Sequence, residues 1–453
     1  MYVDFLINVF QNNKDKPMMV WKEKEYSYGW LLQRMEEWGV YVRARAVPKG
    51  SVVAIYGDYS PNSVALFLAL IGHSCTIIPL TDSVKHKMEE FLEIGQAEFL
   101  FELDSDDTVK MSDLDRKADH PFLVQLKSEL HPGLILFSSG STGRSKAAVH
   151  DLTGLLEKYK VQRKAWRTIS FLLYDHIGGV NTMLHTLSNA GCIYTVSDRQ
   201  PDTVLAAISK YEIELLPTSP TFINLILFSE AYKRYDLSKL KMMSYGTEPM
   251  PESTLKRIGQ ILPHVKFLQT YGLSEVGILR SKSKSSDSLW VKIGGEGFDT
   301  RIVDGMLEIK SQSAMLGYLN APSAFTEDGY FQTGDMVEVD GEYIRILGRK
   351  SEIINVGGQK VYPAEVESVI LTVENVADVT VHAEKNLITG NIVCATVTLH
   401  KEEERKEVVR RIKSLCKQQL EAFKIPVRIY IMDGVQYSSR FKKLRSAISS
   451  REG

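Results

Sequence analysis

Residues 134–146 read Leu134-Ile135-Leu136-Phe137-Ser138-Ser139-Gly140-Ser141-Thr142-Gly143-Arg144-Ser145-Lys146. Four apolar residues make a short buried strand, which empties into hydroxyls and glycines and ends on a lysine. Glycines let backbone N–H groups converge on an anion, hydroxyls add donors, and Lys146 adds positive charge. Together they meet the needs of a polyphosphate. The Walker arrangement is absent, because it requires lysine directly after the second glycine and Gly143 is followed by Arg144. A loop of this composition also suits a flexible connector, so its meaning depends on its surroundings.

Those surroundings alternate helix and strand. A helical pattern over residues 28–45 precedes a buried strand at 51–56. A helix and a strand follow within 63–80, then a short helix at 89–92 and a strand at 97–101. The alternation resumes at 203–216 and at 253–268. It predicts an α/β fold with parallel-type sheets and helices on their faces. Residues 294–347 change to short strands with glycine turns, a small β-rich subdomain. Beyond residue 349 come a helix (363–371), strands (379–382 and 391–399) and a helix (402–420). The last helix carries Val408, Val409, Ile412, Leu415, Cys416 and Leu420 on one face, which makes Cys416 a core residue. The division is a large N-terminal core over 1–348, a hinge at 349–352, and a small mobile α+β domain over 353–453.

Composition narrows the function. With 453 residues, 44% hydrophobic and 25% charged, the chain is ordinary globular protein. Its 55 basic and 56 acidic residues give a net charge of −1, and no nucleic-acid partner is expected. The four cysteines have no CxxC spacing, so neither a disulfide scaffold nor a zinc cluster is expected. The most apolar window, 63–80, is broken by Gly72, His73 and Pro79 and reads as helix plus strand rather than a membrane span. No targeting segment stands out at the start, and a cytoplasmic location is expected.

Further constellations accompany the loop. Gln269-Thr270-Tyr271-Gly272-Leu273-Ser274-Glu275 follows a strand-like run. There a glycine beside an aromatic allows a flat ring to approach, and Ser274 with Glu275 suits a phosphate oxygen and a hard cation. Tyr330-Phe331-Gln332-Thr333-Gly334-Asp335 is followed by Gly348-Arg349, then by residues 355–367. An Asp in such a turn can hold a ribose diol or satisfy its own backbone.

In this order and spacing the segments resemble the adenylate-forming superfamily: acyl-CoA synthetases, adenylation domains of peptide synthetases, and firefly luciferase. The resemblance covers essentially the whole chain. It implies two steps: a carboxylate and ATP give an acyl-adenylate and pyrophosphate, and a thiol then takes the acyl group. By similarity Ser138, Ser139, Gly140, Ser141, Thr142, Gly143 and Lys146 embrace the phosphates. Gly246, Thr247 and Glu248 edge the adenine, Tyr271 stacks on it, and Gln269, Thr270 and Gly272 are cofactor-binding, with Gln269 also among the acyl-pocket walls. Ser274 touches the α-phosphate, Glu275 holds Mg2+, and Asp335 with Arg349 binds the ribose. Lys442 is placed as the catalytic lysine, with Lys443 the fallback, and Phe441 stands where the family has glycine. Ser351 replaces the charged residue usual at the hinge. Asn355, Gly357, Gly358 and Lys360 would line a pantetheine tunnel in the second orientation.

Tyr174-Asp175-His176-Ile177-Gly178-Gly179 resembles the segment that opens the acyl pocket. His176 then guards the carboxylate end and favours an acid without an α-amino group, fatty or aryl. Asp175 would face a substrate ammonium only in a shifted register. The implied acceptor is CoA or a stand-alone carrier protein. Two alternatives stay open: an adenylate binder with lost or partial activity, and an amino-acid-activating enzyme.

Overall fold

The segments that alternate helix and strand in the sequence build two open sheets in the computed structural model, which describes residues 2–139, 145–295 and 297–432, with residues 437 and 443. One sheet runs Val109–Asp113, Phe99–Leu103, Val52–Tyr56, Thr76–Leu80, Gly133–Ser139, Ser145–Asp151 and Gly317–Tyr318. Its four central strands are parallel and its outer pairings antiparallel. The second sheet runs Lys266–Gln269, Met242–Tyr245, Leu215–Thr218, Arg167–Ile169, Cys192–Tyr194, Pro17–Trp21 and Lys24–Ser27, and only the last pairing is antiparallel.

Local chemistry sets the helices between these strands. Pro61–Gly72 starts on a capping box, in which the Ser60 and Ser63 side chains exchange hydrogen bonds with each other's backbone, and Pro61 fixes the first turn. Its run VALFLALI is buried all round, as expected of a helix enclosed between layers. An antiparallel sheet of Arg280–Ser283, Trp290–Gly294, Tyr343–Arg349, Phe331–Asp340, Met306–Ser311 and Phe298–Val303 forms the β-rich part.

Beyond residue 353 a separate apolar core gathers Ile354, Val361, Val366, Val379, Val381, Val393, Val397, Val408, Ile412 and Cys416. Its sheet, Val376–Asn386, Gly390–Leu399 and Arg428–Ile431, packs against the helices Pro363–Ile370 and Arg405–Gln419. The first strand extends well past the expected 379–382. Its second face carries Thr380, His382 and Glu384, and that polar alternation hides a strand from a search for apolar runs. This unit touches the rest through Asn224, whose Nδ2 donates to Ala377 O and Asp378 Oδ1 at 3.1 and 3.2 Å, and through Ser253 N to Ser368 Oγ at 3.2 Å. Among the described residues no helix is long and apolar enough to cross a membrane.

Candidate active site

The strands on either side of the phosphate-type loop, Gly133–Ser139 and Ser145–Asp151, pair antiparallel. Ser138 pairs with Lys146 and Ser139 with Ser145, while Gly140, Ser141, Thr142 and Gly143 lie outside the described residues. The return strand was not foreseen. It matters because it aims Lys146 at the Tyr318 ring, 5.2 Å from its centroid. Tyr318 in turn donates its hydroxyl to Glu275 Oε1 at 2.7 Å. Asn320 locks the hairpin from the same edge, accepting from Ala147 N and donating to Ser145 O. Below it, His150 is fully buried and hydrogen-bonds the Ser274 carbonyl, and burial holds its pKa down. The lysine of one segment and the Ser-Glu pair of another are thus joined through Tyr318, Asn320 and His150. None of these three residues was singled out from the sequence, since their partners lie at least 43 positions away.

A second feature lies at the carboxyl ends of the parallel strands, where open α/β sheets place their ligands. Thr218, Tyr245 and Gln269 form one register row across three neighbouring strands and therefore share a face of the sheet. Thr218 Oγ1, Tyr245 OH and Gln269 Oε1 are all buried without a hydrogen-bond partner among the described residues. Buried polar atoms are normally paired, so a row of three fits a polar ligand. Gly246 and Thr270 follow directly on two of these strands, and Thr270 N donates to Tyr245 O at 2.7 Å. Thr247 adopts a left-handed backbone at φ 76°, an uncommon state for a branched residue and typical of a functional turn. Glu248 accepts from Thr221 N at 2.8 Å through Oε1 and from Lys443 N at 3.3 Å through Oε2.

The third feature explains the spacing of Asp335 and Arg349. They are opposite residues of the hairpin formed by Phe331–Asp340 and Tyr343–Arg349, with Arg349 Nε 3.5 Å from Asp335 Oδ1. Tyr271 donates its hydroxyl to Asp335 Oδ2 at 2.6 Å, and Thr333 Oγ1 accepts from Asp335 N at 3.0 Å. Burial pushes the Asp335 carboxyl up, and the Arg349 guanidinium works against it. Tyr271 is only 6% exposed and packs with Val276 and Leu279, so its ring is fixed in place before any nucleotide arrives. Gly272 pairs with Ile278 in the short ladder that closes the same loop.

His176 is the N-cap residue of the helix Ile177–Ser188, and its carbonyl accepts from Gly179 N and Val180 N. The adjacent Asp175 is buried and accepts from Thr81 Oγ1 at 2.8 Å and Ser83 Oγ at 3.0 Å. Asn355, Gly357, Gly358 and Lys360 lie on an exposed hairpin, Ile354–Val356 with Gln359–Val361, away from the segments above. Gly357 and Gly358 both have positive φ, as a two-residue hairpin turn demands. Ser351 is exposed in the single turn Lys350–Glu352 that joins the two units.

Lys442 and Phe441 lie outside the described residues. The neighbouring Lys443 is described, and its ammonium is buried. It donates to Val379 O at 2.6 Å and lies 3.3 Å from Glu367 Oε2 and 3.6 Å from Asp378 Oδ1. That amine is committed to the small unit, which removes it as the fallback for chemistry in this arrangement.

The chain belongs to the AMP-binding enzyme family: residues 7–318 match that family and residues 365–442 match the AMP-binding enzyme C-terminal domain. It is thereby an adenylate-forming protein and an AMP-forming ligase by class. It is 26% identical over 411 residues to 4-coumarate–CoA ligase-like 9 of Arabidopsis thaliana, covering 78% of this chain and 72% of that one. It is 24% identical over 465 residues to the indoleacetate–CoA ligase of Aromatoleum aromaticum, covering 91% and 90%. In fold it is similar to the anthranilate CoA ligase AuaEII in complex with anthranoyl-AMP, at TM-score 0.81 and 18% identity over 98% of this chain and 95% of the other. ATP-bound MatB from Rhodopseudomonas palustris gives TM-score 0.81 at 22% identity, over 99% and 98%.

Proposed function

We propose that this protein is an ATP-dependent acid–thiol ligase that activates a carboxylic acid without an α-amino group and passes it to CoA. The observation that carries the reading is convergence. Lys146 and Glu275 meet through Tyr318, Asp335 pairs with Arg349 and holds Tyr271, and Thr218, Tyr245 and Gln269 share one register row, although these residues come from distant segments.

In the first step a carboxylate oxygen attacks the α-phosphorus of ATP, the bond to the β-phosphate oxygen breaks, and pyrophosphate leaves. Positioning and neutralisation of charge supply most of the catalysis of such a transfer. Lys146 and the loop after Ser138 hold the outgoing phosphates, with Ser274 beside the α-phosphate. Glu275, its carboxylate steadied by Tyr318, fits a hard oxygen-seeking cation, and Mg2+ bound there would neutralise phosphate charge. Asp335 and Arg349 hold the ribose, and Gly246 to Glu248 with Gln269 to Gly272 enclose the base. Lys442 approaches the α-phosphate and acyl oxygen. In the second step the thiol gives up its proton, its sulfur attacks the acyl carbon, and AMP departs as the acyl–phosphate bond breaks. The exposed hairpin with Asn355, Gly357, Gly358 and Lys360 would then face the pantetheine arm after the small domain turns about Ser351.

Two observations support the choice of acid and acceptor. Asp175 Oδ2 accepts from both Thr81 and Ser83, which weighs against a site for an amino-acid ammonium and in favour of His176 at the carboxylate end. The relatives named above are CoA ligases. A carrier protein is less well supported, because Arg410, Arg411 and Lys424 of the basic stretch already pair with Glu407, Glu403 and Glu365.

The test is pyrophosphate release from ATP and Mg2+ over a panel of fatty, aryl and amino acids, with hydroxylamine as surrogate acceptor. Turnover with an aryl or fatty acid and thioester formation on added CoA are expected. Turnover only with amino acids would overturn the acid assignment. ATP binding without pyrophosphate release from any acid would leave an adenylate binder.

A further inference from the structure

The sheet of the C-terminal unit has two unlike faces. One, with Val379, Val381, Val393, Val397 and Ile429, packs on the helices. The other presents Thr380, Thr396 and Tyr430 in one register row and His382, Cys394 and Arg428 in the next, with Glu384 two residues beyond His382. This second face is also covered: Thr380, Thr396 and Cys394 are 1% exposed or less, and the His382 side chain is 5% exposed.

His382 is anomalous there. Among the described residues its Nδ1 has no hydrogen-bond partner, and its Nε2 lies 3.7 Å from Glu384 Oε1, too far for a hydrogen bond. A buried imidazole nitrogen left without a hydrogen bond is uncommon. One donor atom each from His382, Glu384 and Cys394 lies within 4.8 Å of the others. The edges of a tetrahedral zinc site are about 3.5 Å, given metal–ligand distances of 2.0–2.3 Å, so small side-chain rotations close the gap.

We propose that His382, Glu384 and Cys394 form a binding site for a zinc-class divalent cation that links the two long strands of the C-terminal sheet. The donor set is the argument for the metal: sulfur, imidazole nitrogen and one carboxylate oxygen suit zinc and its analogues and disfavour magnesium or calcium. Charge also balances. Cys394 loses its proton to solvent when the cation binds, and a thiolate with a carboxylate then neutralises the two positive charges. Arg428 Nη1 keeps Glu384 Oε2 at 2.6 Å, and the Tyr430 hydroxyl, at 2.8 Å from Oε1, orients the oxygen that turns to the metal. Without a metal, burial pushes the Cys394 thiol up to about 12, which keeps it protonated and inert. The site has only one cysteine and its donors come from two strands, which is why cysteine spacing led to the opposite expectation.

Cobalt reports this directly. The metal-free full-length protein is titrated with Co2+ alone and followed by absorption. Cys75, Cys192 and Cys416 are buried elsewhere, so a thiolate-to-cobalt charge-transfer band reports Cys394. The expected result is one equivalent bound with that band, displacement by Zn2+ but not by excess Mg2+, and loss of the band in both Cys394→Ser and His382→Gln. Zn2+ should also raise the melting temperature of the unsubstituted protein but not of Cys394→Ser, and pyrophosphate release by Cys394→Ser should be unchanged. Absence of a thiolate band in the unsubstituted protein, or its persistence in Cys394→Ser, would overturn the site.

Discussion

Asp335 shows how much one residue can carry. Its two carboxylate oxygens are already directed, one by the Tyr271 hydroxyl and one by Arg349, so in the proposed role a ribose diol would meet a fixed acceptor. Asp335→Ala removes a charge-assisted bond and should raise the ATP requirement by about 10- to 100-fold with the fold intact. Steady-state kinetics with ATP varied reads this, and an unchanged requirement would exclude the ribose role. Lys158 gives a pH signature. Its Nζ donates to Asn181 Oδ1 and Ile278 O, and burial, with Arg163 nearby, pushes it down to about 7. An unfolded lysine titrates near 10.4, so between about pH 7 and 10 the unfolded chain binds the extra proton and stability rises with pH. Below that window both states are charged and the cost of burying the ammonium is present in full. Stability curves at pH 6.5 and 9 should therefore converge for Lys158→Met relative to the unsubstituted protein.

At the scale of elements, the helix Ile177–Ser188 is set against the turn that leads into it by a single small residue. A Cβ on Gly179 would stand 1.9 Å from Leu173 O, and the Tyr59 hydroxyl already donates to the Gly179 carbonyl. Gly179→Ala should force the helix N-terminus outward, destabilise the protein by about 1–3 kcal/mol and weaken use of the acid more than of ATP. Denaturant unfolding and the two substrate requirements measure this. Such close approaches leave no trace in hydrophobic periodicity, whereas the alternation of Val52–Tyr56, Pro61–Gly72 and Thr76–Leu80 was fully legible. So were Asp335 and Arg349 as a motif, but not their pairing, which depends on antiparallel register. Tyr318, Asn320 and His150 were invisible for a related reason: each acts on a segment that only the closed sheet brings near. The strand Val376–Asn386 was half-read because His382 and Glu384 interrupt its apolar pattern.

For the whole molecule the question is how two units share one reaction. The docking seen through Asn224, Ser253 and Lys443 sets the small unit against the nucleotide-type segment at Glu248. If this is the adenylating arrangement, Lys442→Ala should reduce acyl-adenylate formation by about 100-fold or more while sparing conversion of a supplied acyl-adenylate to the thioester. Equal loss in both half-reactions would remove Lys442 from its assigned place. Arg349 adds a mechanical corollary. It is the last residue of its strand, bonded directly to the turn Lys350–Glu352. The proposed clasp on the sugar and the proposed axle of the small unit would therefore be consecutive links of one chain. Tension at the clasp would reach the axle without any intervening relay, so the departure of spent nucleotide and the resetting of the lid would be two readings of one event.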